Sequence, residues 1–335
     1  MDRCAQILST TAALCFLLWA DGCLAWQLRF DNPTTYLRDS KGGPPANDFD
    51  TASPVHEELT LNSLGCVGDN RCNDDLALNS ISVADVLRGV RWNDFPAVYF
   101  DKSPTGTCKG LRRASNSSDI RCFGATAYYS GGLSRSIKGD KYSNESIFVR
   151  GHFGDLQAWH SMASLNEEPK ETLDGMMGWA KLWWAIVRGE VDLRADVTTV
   201  TEPVVARRFY RGSRQVYNFV DYRTDGAVRS IALGAILHMV QDSFAPCHTE
   251  RDANGHIVRF NTYSGQNRER HHNHDGHSER LEHVVSLPNG PTVVGKRLVR
   301  LATDSALWET VRTELLQTWM LSPDAKNASP GVLCQ

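Results

Sequence analysis

The sequence predicts an all-α fold, with a single multi-helix domain and a loop-rich insert. Two observations predict this class. Several segments repeat apolar residues at the helical spacing of three and four positions, and the alternation typical of strands is scarce. The clearest segment, 226–244, carries an apolar stripe made of Val228, Ile231, Ala232, Ala235, Ile236 and Met239.

The other elements follow in chain order. Residues 26–52 are rich in Pro, Gly, Asp and Asn, which predicts an irregular lead-in, and the stretch of about 101–145 is a polar insert rich in Gly and Ser. Ser53 and Ser82 are plausible N-caps of two helices, and Gly89 stands near the end of the second. Besides 226–244, the predicted helices are 54–64, 81–90, 158–165, 171–189, 205–219 and 296–321.

Residues 1–25 have the pattern of a signal peptide. Arg3 supplies a weak positive charge, an apolar run follows, and Ala25 is a small residue suited to cleavage. The alternatives are an uncleaved anchor, for which the apolar run is short, and a lipoprotein cut before Cys23. We therefore expect a secreted or periplasmic protein whose mature domain, 26–335, begins with Trp26.

Cysteine usage agrees with export. Of the 9 cysteines, those beyond residue 25 are even in number, which in an exported chain indicates disulfides. The economical pairing joins near neighbours and lets the last pair tie down the tail, although other connectivities are formally possible. It comprises Cys66 with Cys72, Cys108 with Cys122, and Cys247 with Cys334.

Residues of the types that bind metal ions are concentrated from position 238 onward. His238 and Asp242 stand four apart on the clearest helix and therefore share one face, while Pro246 would end the helix and return His248 toward that face. A lone His and Asp at this spacing are more often a hydrogen-bonded core pair. Here the pair interrupts an apolar stripe, and a second H-x3-D pair, His271 with Asp275, follows in a His-rich tract.

Further residues of the types that bind metal ions precede this segment in the sequence. Together they resemble the superfamily of zinc-dependent phospholipases C and S1/P1 nucleases, which is all-α and binds three zinc ions, partly through the amine and carbonyl of a processed N-terminal Trp. Every ligand position of that pattern is filled, across most of the mature chain. The implied zinc ligands are Trp26, His56, Asp94, His152, His238, Asp242, His248, His271 and Asp275.

The chain departs from the family pattern in places. Gln241 stands where the family motif H-x-x-G-D has glycine, a helix position at which Gln is acceptable, and the insert has no counterpart. In the last pair, His272, His274 or His277 remain alternatives to His271, and Glu279 to Asp275. Asp155 and His160 are candidates for a second layer behind the ligands, Asp155 by orienting His152.

The resemblance implies hydrolysis of a phosphodiester, with Asp94 as the base that polarises the attacking water. A phospholipase C acting on glycerophospholipids at a membrane surface is preferred, because the 151–163 and 241–246 segments look closer to the bacterial phospholipase branch. The net charge of −3 provides no basic groove, so no stable nucleic-acid partner is expected. The alternatives are a single-strand nuclease and a secreted zinc-binding interaction protein without catalysis. Trp179, Trp183 and Trp184 stand at helical spacing and are predicted to be core.

Overall fold

The computed structural model describes residues 55–66, 81–93, 151, 154–207, 215–220, 224–267, 270–271 and 287–335. This part of the chain is mostly helical, in agreement with the predicted class. Its helices are α1 (Val55–Ser63), α2 (Val83–Trp92), α3 (Pro169–Arg188), α4 (Pro203–Ala206), α5 (Val216–Phe219), α6 (Asp225–Asp242), α7 (Pro291–Thr303) and α8 (Trp308–Thr318). Two short strands, β1 (Thr249–Arg251) and β2 (Ile257–Phe260), pair antiparallel.

Helix α6 is the centre of the fold. It packs against α2, α3, α7 and α1, and from Ala227 to Asp242 nearly every side chain is buried. The sequence shows one apolar stripe, but the helix is enclosed on all sides, as expected for a core helix whose polar residues find partners. Within the described residues no helix is both long and apolar enough to cross a membrane.

Two glycines let α2 and α6 cross at very short range. A Cβ on Gly89 would lie 2.1 Å from the carbonyl oxygen of Ile231, and a Cβ on Gly234 would lie 2.1 Å from that of Val86. Backbone therefore rests on backbone, which only glycine allows. Gly89 was expected near the end of its helix, and α2 ends shortly after it, at Trp92.

Ser82 caps α2 as predicted, since its side chain accepts a hydrogen bond from the Asp85 amide. The long helix α3 also agrees with prediction and ends at Gly189 in the left-handed conformation. The predicted tryptophan core is confirmed: Trp179, Trp183 and Trp184 are buried. The first two join Trp92 and Trp159 in one aromatic cluster, with ring centroids 4.8 Å apart for Trp92 and Trp159.

Three predicted helices are interrupted in the structure. The 158–165 segment is only a 3₁₀ turn, Gln157–His160, because Ser161 takes the left-handed conformation with φ 49°. The C-terminal 296–321 segment is two helices, α7 and α8, separated at Ser305 with φ 51°. Within 205–219 the described residues form α4 and α5 rather than one helix. The signal peptide and the 101–145 insert lie outside the described residues.

The chain after α6 is fixed by a disulfide and by the β-hairpin. Cys247 and Cys334 form the predicted disulfide, which joins positions 87 residues apart and holds the C-terminal tail beside the hairpin. Cys66 is also disulfide-bonded. The remaining cysteines of the predicted pairs lie outside the described residues.

Arg251 on β1 ties together the ends of two helices. Its guanidinium donates to the carbonyl oxygen of Ser243, just after α6, at 2.9 Å, and to that of Thr318, at the end of α8, at 3.0 Å. It also lies over the Phe244 ring, 4.3 Å from the centroid. Burial lowers the pKa of Arg251 to about 10, so the side chain stays charged near neutral pH and suits the negative ends of both helices.

We expect Arg251→Met to lower the free energy of unfolding by about 3 kcal/mol, because buried carbonyl groups lose a charged donor. The matched control is Arg297→Met, because the Arg297 side chain is 46% exposed and its guanidinium pairs with Glu314 at 3.0 Å. That change should alter stability by less than about 1 kcal/mol. Urea unfolding of both variants measures the difference, and equal losses would contradict the role assigned to Arg251.

Candidate metal centre

The last two turns of α6 carry the centre of the candidate site. His238 and Asp242 are both fully buried and face each other, with His238 Nε2 2.8 Å from Asp242 Oδ2. The other carboxylate oxygen, Oδ1, lies 3.2 Å from Nε2 of His56 on α1, whose ring is stacked on that of His238 with the centroids 4.1 Å apart. The ligand atoms of these three residues all lie within 4.8 Å of one another, which is a spacing that a metal ion can bridge.

His160, at the end of the 3₁₀ turn, approaches the same carboxylate from a third direction. Its Nδ1 lies 3.1 Å from Asp242 Oδ2 and 3.2 Å from His238 Nε2. Donor atoms that share a tetrahedral zinc ion with bonds of about 2.0 Å are separated by about 3.3 Å. The His160, His238 and Asp242 atoms therefore already have nearly the mutual spacing of zinc ligands.

Two more imidazoles extend the cluster beyond the carboxylate. His248 follows α6 after the turn that contains Pro246, and its ring centroid lies 6.3 Å from that of His160. His271 lies beyond it, with the two ring centroids 5.5 Å apart. The hydroxyl of Tyr263 is 3.2 Å from His271 Nε2, which adds a polar group at that end. The imidazoles of His56, His238, His160, His248 and His271 thus form one continuous buried group.

The rings are held by groups behind them. His56 Nδ1 lies 2.7 Å from Gln241 Oε1, His248 Nδ1 lies 2.6 Å from the backbone carbonyl of His160, and His271 Nδ1 contacts Gln266 Oε1. Each of these partners is a carbonyl oxygen, which requires a proton on Nδ1 and leaves the lone pair on Nε2. An acceptor behind Nδ1 that turns Nε2 toward a metal is the usual arrangement for a metal-binding histidine.

Electrostatics favour a charged carboxylate beside the neutral rings of His160 and His238. Burial opposes ionisation of Asp242, but the neighbouring His238, His248 and His160 outweigh it and hold the pKa of this carboxyl well below its usual range. Burial lowers the pKa of both His160 and His238 to about 4, against the attraction of Asp242. For His56 the hydrogen bond and charge of Asp242 outweigh burial, and the pKa is raised. An ionised carboxylate beside neutral imidazoles is the donor set that zinc prefers.

The structure brings together five of the nine ligands expected from the resemblance: His56, His238, Asp242, His248 and His271. Trp26, Asp94, His152 and Asp275 lie outside the described residues, as do the alternatives His272, His274, His277 and Glu279. Asp155 is half-buried just before the 3₁₀ turn, and its predicted partner is among the residues not described.

His160 was expected in a second layer behind the ligands, and its ring is in direct contact with the carboxylate of Asp242. Sequence reasoning missed two participants in this cluster. Gln241 and Gln266 hold two of the rings, and neither belongs to a pattern of ligand-type residues. The only available signal was that Gln241 is a polar residue in an otherwise apolar stretch of α6.

Comparison of the chain with protein-family models, with curated proteins and with solved structures gave no match.

Proposed function

We propose that this protein is a zinc-dependent phosphodiester hydrolase, most specifically a phospholipase C that releases diacylglycerol and a phosphorylated head group from glycerophospholipids. The observation that carries the proposal is the environment of Asp242. Both oxygens of this buried carboxylate face imidazole nitrogens, Oδ1 toward His56 and Oδ2 toward His238 and His160. Such a carboxylate is suited to join two metal positions, and adjacent metal positions are typical of phosphoester hydrolysis.

The residues divide by their place around Asp242. His56 and His238 would share one position with Asp242, and His248 with His271 would serve a further position next to it. From the resemblance, Trp26, Asp94, His152 and Asp275 would complete these sets. When bound, three zinc ions would neutralise the phosphodiester and lower the pKa of water toward neutrality. Asp94 would hold and accept the proton of the attacking water.

We further propose that His160 is a direct ligand rather than a residue behind the ligands. Its Nδ1 is within 3.2 Å of both His238 Nε2 and Asp242 Oδ2, so an ion placed between those two atoms would also meet His160. Its pKa of about 4 leaves the ring neutral, as a ligand must be. His152, assigned from the resemblance, stands only eight positions earlier, and the two residues are then competing candidates for one place.

A lipid substrate is preferred to nucleic acid for two reasons. The net charge of −3 supplies no broad positive surface for a polynucleotide, and the segments around His160 and Asp242 look closer to the phospholipase branch of the resembling family. The protein would then act outside the cytoplasm, in the secreted or periplasmic form that begins at Trp26, and would meet a phospholipid surface.

The test is hydrolysis by the mature, zinc-loaded protein. We expect it to cleave p-nitrophenylphosphorylcholine and phosphatidylcholine vesicles, to lose activity on chelation, and to regain it with zinc. His160→Ala should reduce activity by at least about 100-fold, while His256→Ala, a change of a partly exposed histidine outside the cluster, should retain it. Elemental analysis should give three zinc ions for the mature chain.

Two other outcomes would replace the proposal. Cleavage of single-stranded DNA without cleavage of either choline ester would identify a nuclease. Stably bound zinc without hydrolysis of any of these substrates would identify a structural zinc cluster in a secreted interaction protein. The complete burial of the His56, His238 and Asp242 side chains favours this last function among the alternatives, because structural zinc sites are closed to water.

A further inference from the structure

Gln241 makes two hydrogen bonds that connect α6 to α1. Its Oε1 lies 2.7 Å from His56 Nδ1, and its Nε2 donates to Thr60 Oγ1 at 2.8 Å. His56 and Thr60 are four apart and therefore lie one above the other on α1. The amide of Gln241 spans this pair, and all three side chains are buried.

The amide orientation decides which nitrogen of a neutral His56 carries the proton. With Nε2 of Gln241 on the Thr60 hydroxyl, Oε1 is the atom that faces His56, so the neutral ring carries its proton on Nδ1 and turns the lone pair of Nε2 toward Asp242. The reverse amide orientation would place an NH₂ group against Nδ1 and force the proton onto His56 Nε2, where it would exclude a metal ion. The Thr60 hydroxyl accepts from the Gln241 NH₂ group and so helps to hold the amide beside His56.

We infer that Gln241 is a positioning residue that fixes the tautomer and ring direction of His56 for metal binding. The inference rests on the proposed zinc site and adds a residue to it. Gln266 holds His271 in a similar way from the opposite end of the cluster, since its Oε1 contacts His271 Nδ1 and its Nε2 donates to the Cys247 carbonyl at 2.7 Å.

The test compares variants that keep or remove the acceptor. Gln241→Met preserves length and volume without an acceptor and should weaken zinc binding by about 10–100-fold. Gln241→Glu keeps an acceptor for His56 and can receive the Thr60 hydroxyl, so its affinity should remain within about threefold of the unaltered protein. Affinity is measured on the mature protein by competition with a chromophoric zinc chelator.

The control for simple loss of stability is Ser63→Ala on the same helix. Ser63 is buried and donates to the Leu59 carbonyl at 2.7 Å, away from the rings, so this change should leave zinc affinity unaltered. A second readout is the imidazole N–H of His56 in the zinc-loaded protein, observed by NMR. The proton should be on Nδ1 and protected from exchange in the unaltered protein and in Gln241→Glu, and should lose its protection in Gln241→Met.

Zinc affinity in Gln241→Met equal to that of the unaltered protein would overturn the inference, as would a His56 proton on Nε2. Absence of zinc binding by the unaltered protein would overturn it too. Tight zinc binding that is weakened in Gln241→Met and restored in Gln241→Glu would support the role of Gln241. If the zinc-loaded protein then hydrolysed none of the substrates, only the proposed phosphodiesterase would be overturned.

Discussion

Asp242→Asn is expected to abolish tight zinc binding and to remove the stabilisation that zinc confers. The amide retains one oxygen, and its NH₂ group must face either His56 or His238, whose Nε2 atoms lie 3.2 and 2.8 Å from the two carboxylate oxygens. An amide with one acceptor could not join the two proposed metal positions, and the lost negative charge would lower the affinity of both. We expect affinity to fall by at least about 100-fold.

The measurement is thermal unfolding with and without zinc, together with zinc content. The unaltered protein should gain several degrees in midpoint on zinc loading, whereas Asp242→Asn should gain little. The matched control is Asp252→Asn, because Asp252 and His256 form another pair four apart, at 3.5 Å, with both side chains partly exposed. This variant should bind zinc normally. An Asp242→Asn protein that retained full zinc content would contradict the proposed centre.

The contrast between these two pairs shows what sequence alone can establish. Spacing of four places His238 and Asp242 on one helical face, and the apolar neighbours indicate that the face is buried. The same spacing occurs at Asp252 and His256, but there it belongs to the turn of a hairpin, where the Asp252 carboxylate accepts from the His256 backbone amide. Local spacing therefore identifies a candidate, and the environment decides whether the pair is a site.

Long-range contacts explain what the sequence did not reveal. His160 reaches Asp242 only because Ser161 leaves the helical region and ends the 3₁₀ turn, while the Ser161 hydroxyl bonds the Met239 carbonyl at 2.6 Å. A serine at positive φ gives no signal in the sequence. The break at Ser305 between α7 and α8 was missed for the same reason. Helices α1, α2, α3 and α6 were predicted well because apolar spacing, and for α2 the Ser82 cap, are local properties.

The α2–α6 crossing also affects the surroundings of His238 in the candidate metal centre. Glycines at 89 and 234 allow the helices to touch along their backbones, and this brings the Val90 carbonyl of α2 toward His238, where it partly offsets the lowering of the His238 pKa by burial. Asn93, just after α2, adds a bond from its amide to the Ala235 carbonyl at 3.3 Å. A change at the crossing should therefore affect both stability and zinc binding.

Gly234→Ala is expected to be among the most destabilising single substitutions in α6. The new Cβ would lie 2.1 Å from Val86 O and 2.6 Å from Val90 N, which are backbone atoms that cannot rotate away, so α2 must shift as a whole. We expect a loss of at least about 4 kcal/mol in unfolding free energy, against a gain of only about 1 kcal/mol from helix propensity. Gly175→Ala in α3 is the control. Its Cβ would make an ordinary contact of 3.5 Å with Ala158, so this substitution should be neutral or stabilising.

Urea unfolding of the zinc-free proteins measures the stability of both variants. The zinc affinity of any folded Gly234→Ala protein should also fall, because the Val90 carbonyl moves with α2. Equal stability of the two variants would show that the helices can separate without loss, and that the crossing does not hold His238 in place.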